Sequence, residues 1–264
     1  MSTKTRYESK QPNAKGIIEY TAEENAIWHD LITRQIPMLE GRACKQWISV
    51  LDEMNFPIDR IPQLPEINKV LERHTGWNVV PVKALIPFTE FFGLLANKQF
   101  PVATFIRTRE EFDYLQEPDV FHELFGHTPV LTDRRFAAFI EAYGKAGLAA
   151  DPKDHAMLAR LFWFTVEFGL VDNGEGIRAY GAGIMSSPGE LVYAIESPLP
   201  LRKPLQPVDA LRTPYRIDIY QTVYFVLDTF DHLFELAQAD WREFITEARK
   251  LGMHAPTYPP KQAA

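Results

Sequence analysis

The spacing of apolar residues predicts that most of the chain is helical. Thr21 and Glu24 have the spacing of a capping box, and Ile27, Leu31 and Ile32 follow at the intervals of a buried helix face. Further helical segments are predicted at residues 47–51, 65–76, 136–143, 158–168 and 219–236, and another begins near residue 241. Two short β-prone segments, residues 79–82 and 102–106, are too few for a large sheet. The pattern therefore predicts a mainly α fold with small β strands (α+β).

The length of the chain and its lack of repeats and long linkers favour one domain. The chain has 264 residues without a repeat or a linker longer than a loop. We expect a flexible leader at residues 1–15, a single domain at residues 16–255 and an irregular, proline-containing tail at residues 256–264.

Charge and cysteine content exclude several classes of protein. Acidic residues outnumber basic ones by 35 to 28, so we expect neither nucleic acid nor an anionic membrane as a partner. The apolar stretches are too short to cross a bilayer, and the polar N-terminus lacks the apolar centre of a secretory signal. With Cys44 as the only cysteine, no disulfide can form within the chain, which favours a reducing compartment. These features predict a cytoplasmic protein.

Two histidines lie close together in residues 117–127, with the sequence EPDVFHELFGH. The segment differs from the zinc-binding pattern H-E-x-x-H because His127 follows His122 by five residues instead of four. On an ideal α-helix this interval leaves the two side chains roughly 140° apart. They can share a metal only if the backbone bends or unwinds between them, which Gly126 and Pro129 would permit.

A third ligand is available in the apolar segment LFWFTVEFGL, residues 161–170. A carboxylate there, Glu167, would be costly to desolvate without a partner, and a divalent cation would supply one. Two imidazoles and one carboxylate form the facial arrangement of non-haem Fe(II) oxygenases. The residues alone leave open the alternative that the two histidines are structural.

Three segments together resemble the pterin-dependent aromatic amino acid hydroxylases. They are EPDVFHELFGH, WFTVEFGL and AYGAGIMSSPGEL, and the short chain is most similar to the bacterial phenylalanine 4-hydroxylases of that family. The resemblance implies the single-domain catalytic fold of the family, with His122, His127 and Glu167 as ligands of Fe(II). It also implies a monooxygenase that converts L-phenylalanine to L-tyrosine with dioxygen and a tetrahydropterin, either tetrahydrobiopterin or a related bacterial pterin. We expect a monomer or a small homo-oligomer.

The resemblance also implies substrate-binding residues. Arg107 matches the arginine that holds the substrate carboxylate, although a surface salt bridge is the alternative. Four residues match the family positions that form the wall of the pocket for the substrate side chain, namely Pro118, Trp163, Phe168 and Gly183. The alternative is that they are ordinary core residues. Ser186 matches a serine near the first iron histidine, and Asp119 could orient either His122 or Arg107. Glu190 matches a glutamate near the active site, but it also completes a capping-box spacing with Ser187.

The pterin is expected to lie against residues 84–92. The family match assigns backbone contacts to Ala84, Leu85 and Ile86, ring stacking to Phe91 and polar contacts to Glu123. Residues 84, 87 and 88 depart from the animal enzymes, which leaves the preference for the pterin side chain open.

Three other functions remain as alternatives. The same chemistry could act on tryptophan or tyrosine, the same ligands could serve a zinc hydrolase, and the chain could be a non-catalytic helical protein. Turnover of the three amino acids, the requirement for dioxygen and the metal content distinguish these possibilities.

Overall fold

The computed structural model describes residues 7–83, 86–114, 117–172, 174 and 176–260. Helices dominate this part of the chain, so the prediction of a mainly α fold with small strands is confirmed. The α-helices are α1 (Ala22–Gln35), α2 (Lys45–Ile48), α3 (Leu51–Met54), α4 (Leu64–His74), α5 (Phe88–Ala96), α6 (Arg134–Ala149), α7 (His155–Phe162), α8 (Ala182–Met185), α9 (Pro188–Glu196), α10 (Pro207–Arg212), α11 (Phe230–Gln238) and α12 (Trp241–Leu251). Two wider, π-helical turns also occur, the first at His122–His127 and the second at Trp163–Glu167.

The strands form two small sheets. They are β1 (Asn78–Val82), β2 (Gln99–Ala103), β3 (Leu170–Asp172), β4 (Ile177–Ala179), β5 (Leu201–Pro204) and β6 (Val223–Leu227). Strands β1 and β2 pair in parallel, and the second sheet has the order β4-β3-β6-β5. In that sheet β3 and β5 both run parallel to β6, with Leu170 opposite Val226. The residues just before β3 and just before β6 therefore lie at the same edge of the sheet.

Aromatic side chains fill the core around the first π-helical turn. The rings of Phe121 and Phe125 are stacked, with centroids 5.0 Å apart. Trp28 of α1 packs edge-on against Phe121, and Trp47 of α2 packs edge-on against Phe125. All four side chains are essentially inaccessible to solvent. The first π-helical turn is therefore anchored in a closely packed aromatic part of the core.

Several predicted helices are confirmed, together with the signals that predicted them. Helix α1 begins with the reciprocal capping box of Thr21 and Glu24. Helix α4 has Pro65 in its first turn and is followed by Gly76 at a φ of 74°, a left-handed conformation that suits glycine. Helices α6 and α12 contain the segments predicted from residue 136 and residue 241.

The predicted helix at residues 219–236 is wrong. Its first part contains strand β6, and a helix, α11, begins only at Phe230 after an N-cap by Thr229. The run Val-Tyr-Phe-Val-Leu of β6 lies in the middle of its sheet and is almost wholly buried, so it lacks the alternation that marks a half-exposed strand. A short apolar run of this kind has no periodicity that separates a buried strand from a helix.

Three other boundaries differ from the prediction. The helix at residues 47–51 is divided between α2 and α3, the strand at 102–106 is β2 and ends at Ala103, and the helix at 158–168 changes to the second π-helical turn after Phe162. Among the described residues, no helix combines the length and the apolar character needed to cross a bilayer. The predicted domain boundaries at residues 15 and 255 stay predictions.

Candidate active site

The first π-helical turn brings the two predicted histidine ligands together. A π-helix has an i to i+5 hydrogen-bond repeat, so side chains five residues apart lie on one face. Accordingly, the Nε2 atoms of His122 and His127 are 3.1 Å apart. The π-helical turn is therefore the unwinding of the backbone that two histidines five residues apart need in order to share a metal.

Contacts on both sides hold this turn in place. The backbone N–H of His122 donates to the carboxylate of Asp119 at 3.1 Å, which satisfies a donor at the start of the turn. Near its end, a Cβ on Gly126 would lie 3.0 Å from both the Cβ and the carbonyl oxygen of Ala182. Glycine therefore permits α8 to pack directly against the turn that carries the histidines.

The second π-helical turn supplies the carboxylate. The N–H of Phe168 donates to the carbonyl of Trp163 at 2.8 Å, and this wide turn ends at Glu167. One oxygen of Glu167 is 3.3 Å from Nε2 of His122, and the other is 3.2 Å from Nε2 of His127. The three predicted ligands, from two distant segments, thus converge on one point.

A serine determines which nitrogen of His122 faces that point. The hydroxyl of Ser186 donates its single proton to the carbonyl of Ala182 at 2.8 Å. Its oxygen therefore accepts the N–H at Nδ1 of His122, at 2.9 Å. In the neutral ring this leaves the lone pair on His122 Nε2, which faces Glu167 and His127, and this is the tautomer a metal requires.

The electrostatics distinguish the two carboxylates near the histidines. Burial acts to raise the pKa of Glu167, but the imidazoles of His127 and His122 outweigh it and hold that pKa well below its usual range. Burial raises the pKa of Glu123 to about 8, in spite of the opposing effect of His122. Burial therefore favours the neutral form of the Glu123 carboxyl, whereas the histidines favour the ionised form of Glu167.

The same environment affects the histidines in opposite directions. Burial lowers the pKa of His127, against the attraction of Glu167. For His122, burial also acts to lower the pKa, but Glu167 outweighs it and the net shift is upward. A neutral His127 is ready to bind a cation through its lone pair.

The residues at this point fit a divalent metal. A buried imidazole, a largely buried one and an ionised carboxylate are typical of the ligand set that binds Fe(II) and leaves positions open. Glu123 lies within the same cluster, since the ligand atoms of His122, Glu123 and His127 are within 4.8 Å of one another. Its carboxylate is 3.8 Å from His127, farther than that of Glu167, so Glu167 is the better ligand.

A cavity of about 850 Å³ opens beside the three ligands. His122 and Glu167 line it. So do the predicted substrate and pterin residues within the described chain, namely Ile86, Phe91, Arg107, Pro118, Glu123, Trp163, Phe168, Gly183, Ser186 and Glu190. The predicted pterin residues Ala84 and Leu85 lie outside the described residues. The structure therefore collects the predicted residues that it describes around one cavity and one metal-binding point.

Arg107 is held by a buried ion pair. Its Nε and one terminal nitrogen donate to the two carboxylate oxygens of Asp119 at 2.8 and 2.9 Å, and the side chains are 8% and 0% exposed. Arg107 therefore does form a salt bridge, but the alternative that it is a surface residue is wrong. Asp119 orients Arg107 and also accepts the backbone N–H of His122, so it links the arginine to the histidine turn.

The carboxylate of Glu190 faces the cavity, and it does not complete the capping box that the sequence spacing with Ser187 predicts. The backbone N–H of Glu190 donates to the side chain of Ser187 at the start of α9. The carboxylate accepts hydrogen bonds from the backbone N–H of Gln221 at 3.1 Å and from the hydroxyl of Tyr224. Burial raises the pKa of this carboxyl group.

Sequence reasoning missed the part of the cavity wall that precedes β6. This part of the wall consists of Tyr215 and residues 217–221. Tyr143 of α6 also lines the cavity, and the sequence predicted no role in the site for any of these residues. Residues 219–221 fell within the helix wrongly predicted there, which hid their position in a loop. Pro214 was the available signal, because a proline favours an irregular segment at that point.

Known proteins resemble the chain over nearly its whole length. The profile of the family described as biopterin-dependent aromatic amino acid hydroxylase matches residues 2–254. A phenylalanine-4-hydroxylase of Pseudomonas aeruginosa is 55% identical over 260 residues, covering 98% of this chain and 99% of that protein. One of Vibrio cholerae is 52% identical over 258 residues, covering 98% of this chain and 89% of that protein.

Solved structures agree with these similarities. The apo structure of the cold-active phenylalanine hydroxylase of Colwellia psychrerythraea has a TM-score of 0.94 and 51% identity, covering 98% of this chain and all of that one (100%). A phenylalanine hydroxylase of Chromobacterium violaceum with bound oxidised Fe(III) has a TM-score of 0.87 and 42% identity, covering 92% of this chain and 89% of that one. With its fold, its cavity and its profile in agreement, the chain belongs to the family of biopterin-dependent aromatic amino acid hydroxylases.

Proposed function

We propose that the protein is a phenylalanine 4-monooxygenase that converts L-phenylalanine to L-tyrosine. The observation that carries the proposal is the convergence of His122, His127 and Glu167 beside a large cavity. The near full-length similarity to proteins named phenylalanine-4-hydroxylase favours phenylalanine over tryptophan or tyrosine as substrate.

In this proposal His122, His127 and Glu167 hold Fe(II). When bound, Fe(II) would activate dioxygen and the tetrahydropterin would be the two-electron co-reductant, with one oxygen atom going to the aromatic ring and the other to the pterin. The protein would contribute an ionised carboxylate and two imidazole lone pairs as ligands, and His122 and Glu167 lie at the wall of the cavity. Ser186 keeps His122 in the required tautomer through the hydrogen bond at Nδ1.

Arg107 binds the carboxylate of the amino acid substrate. The side chain of Arg107 is 8% exposed and is oriented by Asp119, and it lines the cavity beside the metal ligands. A fixed guanidinium in a largely buried site binds a carboxylate strongly because few water molecules compete with it. Anchoring one end of the substrate in this way directs its aromatic ring into the cavity.

The wall residues Pro118, Trp163, Phe168 and Gly183 bind that ring. The rings of Trp163 and Phe168 have centroids 4.5 Å apart, and a Cβ on Gly183 would lie 2.7 Å from the ring of Phe168. Glycine therefore leaves room for this aromatic packing. An apolar wall also excludes water, so that the reactive oxygen meets ring carbon instead of solvent.

The tetrahydropterin occupies the part of the cavity lined by Ile86, Phe91 and Glu123. The ring of Phe91 is held edge-on by Phe162, with centroids 5.2 Å apart, so it offers a fixed surface on which a pterin can stack. The carboxyl of Glu123 lines this part of the cavity, where its oxygens can accept hydrogen bonds from the N–H groups of a pterin.

The decisive experiment follows dioxygen consumption after anaerobic loading with Fe(II). We expect turnover with L-phenylalanine and a tetrahydropterin, with one tyrosine formed for each dioxygen consumed. L-tryptophan and L-tyrosine are measured side by side with L-phenylalanine. A higher kcat/KM for tryptophan, or hydrolytic activity without dioxygen, would contradict the proposal.

The proposal also includes the location of the protein, its oligomeric state and the bounds of its catalytic domain. We infer a cytoplasmic location, because Cys44 is a free buried thiol and disulfides are typical of oxidising compartments. We expect a monomer or a small homo-oligomer, with a catalytic domain at residues 16–255.

A further inference from the structure

Gln221 is a buried residue of the cavity wall that joins two separate segments. It lies just before β6 and is 4% exposed. The side-chain oxygen accepts the indole N–H of Trp163 at 2.9 Å. The side-chain nitrogen donates to the carbonyl oxygens of Arg216 and Ile219 at 2.9 and 3.1 Å. One amide thus binds both the tryptophan and the loop that precedes β6.

The chemistry of its partners permits only one orientation of the Gln221 amide. The indole N–H of Trp163 can only donate, and the two backbone carbonyls can only accept. Turning the amide around would place two donors together at the indole and acceptors together at the loop. The side chain is therefore locked by its hydrogen bonds.

The locked amide determines where the Trp163 ring lies. This ring is stacked on Tyr215, with centroids 4.3 Å apart and an interplanar angle of 12°, and it also contacts Phe168. Since Gln221 holds the carbonyl of Arg216, the residue after Tyr215, it fixes both stacked rings relative to each other. All of these aromatic side chains line the cavity.

The backbone of Gln221 ties this arrangement to the central sheet. Its N–H donates to Glu190, and the same carboxylate accepts the hydroxyl of Tyr224 on β6. Strand β6 is paired with β3, which follows Glu167 after a short connection. The amide therefore holds the Trp163 indole at a fixed position relative to Glu167, the predicted metal ligand that precedes β3.

We propose that Gln221 is a positioning residue that fixes the Trp163 indole as the wall of the ring pocket and thereby sets the affinity for the aromatic amino acid. The inference rests on the proposed function, because it requires the substrate ring to lie against Trp163. Gln221 itself touches neither the metal ligands nor the reacting atoms. Its effect is on substrate affinity, and iron binding is unchanged when it is replaced.

The test compares Gln221 with Gln63, a half-buried glutamine outside the cavity. Gln221→Met keeps the length of the side chain and removes every side-chain hydrogen bond. Gln63→Met is the matched control, because Gln63 also bridges two backbone groups, accepting from the N–H of Ile18 at 2.7 Å and donating to its carbonyl at 3.2 Å. The control site does not line the cavity. A merely structural role predicts that both variants lower the Tm and leave ligand binding unchanged.

The main measurement is the Kd of L-phenylalanine for the Fe(II)-loaded protein, by calorimetry without dioxygen. For Gln221→Met we expect Kd and the phenylalanine KM to rise about 3- to 10-fold, the effect of one neutral hydrogen bond. Iron content and the KM for the tetrahydropterin stay as in the unmodified protein. Gln63→Met is expected to keep the original Kd.

An unchanged Kd in folded Gln221→Met, or an equal rise in Gln63→Met, overturns the inference while leaving the proposed function intact. If the unmodified protein neither binds nor hydroxylates L-phenylalanine, the proposed function fails and the inference fails with it.

A second measurement does not depend on the folding of a variant. In the ¹⁵N-labelled protein with Zn(II) in place of iron, the Trp163 indole N–H exchanges slowly with solvent and its resonance shifts when L-phenylalanine is added. Rapid exchange without a shift would refute the inference.

Discussion

The hydrogen bond between Ser186 and His122 provides a sharp test of the metal centre. The serine is 6% exposed, and its oxygen lies 2.9 Å from Nδ1 of His122 while its proton is directed to Ala182. In Ser186→Ala the imidazole N–H loses its acceptor in a buried place. The neutral ring is then expected to favour the other tautomer, in which the proton lies on Nε2, the nitrogen that should bind iron.

The size of the effect follows from the burial of this group. An unsatisfied buried donor costs about 1–3 kcal/mol. Since about 1.4 kcal/mol corresponds to a factor of ten, we expect Fe(II) to bind roughly 5- to 100-fold more weakly. This range agrees with the factor of about 10–100 that is typical when the partner of a ligating histidine is removed.

The neighbouring serine gives a matched control. Ser187 caps α9 by accepting the backbone N–H of Glu190 at 3.3 Å, and its side chain has no hydrogen bond to a histidine. Ser187→Ala is therefore expected to cost about 1 kcal/mol of the free energy of unfolding with no change in iron affinity. Anaerobic Fe(II) titration against a competing chelator measures the affinity, and urea unfolding measures the stability.

Two results would refute the reasoning. Ser186→Ala could keep the iron affinity of the unmodified protein, which would mean that the hydrogen bond does not determine the tautomer. Alternatively, both variants could weaken iron binding equally, which would assign the effect to a general loosening of the start of α9.

Three further substitutions test the other parts of the site. Glu167→Ala should abolish iron retention, because two imidazoles alone hold the metal poorly; stoichiometric iron after desalting, measured by atomic absorption, would contradict this. Arg107→Ala should raise the KM for L-phenylalanine about 10- to 100-fold, as expected for loss of a charged hydrogen bond, with iron still bound; an unchanged KM in steady-state assays would contradict the role. Gly126→Ala places a Cβ 3.0 Å from Ala182 and should lower the free energy of unfolding by about 1–3 kcal/mol; an unchanged urea midpoint would show that α8 yields at no cost.

Local signals in the sequence were sufficient for much of the fold. The capping box of Thr21 and Glu24, Pro65 in the first turn of α4 and the apolar face of α6 are all determined by residues within one or two turns of each other. The physical causes of these helices lie entirely in neighbouring residues, so the sequence pattern is enough to predict them. The two histidines were also recognisable because they are five residues apart in the chain.

Features that depend on distant contacts were beyond this kind of reasoning. Whether residues 223–227 form a strand is decided by β3 and β5, which lie on either side of β6 in the sheet. The role of Gln221 likewise depends on Trp163, which is 58 residues away in the sequence. The family resemblance implies a pocket role for Trp163 but none for Gln221, and the apolar spacing predicts a helix where Gln221 lies in a loop.

The geometry of the metal-binding point also explains why a motif search by spacing alone is misleading here. In H-E-x-x-H the two histidines are aligned by an α-helical turn, whereas here the same alignment needs one more residue and a π-helical turn. A wide turn is rare and has to be stabilised by its surroundings. Phe121 and Phe125 provide this by stacking within the aromatic core, and the carboxylate of Asp119 binds the first N–H of the turn. The ligand spacing and the aromatic residues between the ligands therefore have to be interpreted together, because the aromatic packing makes the five-residue interval competent to bind a metal.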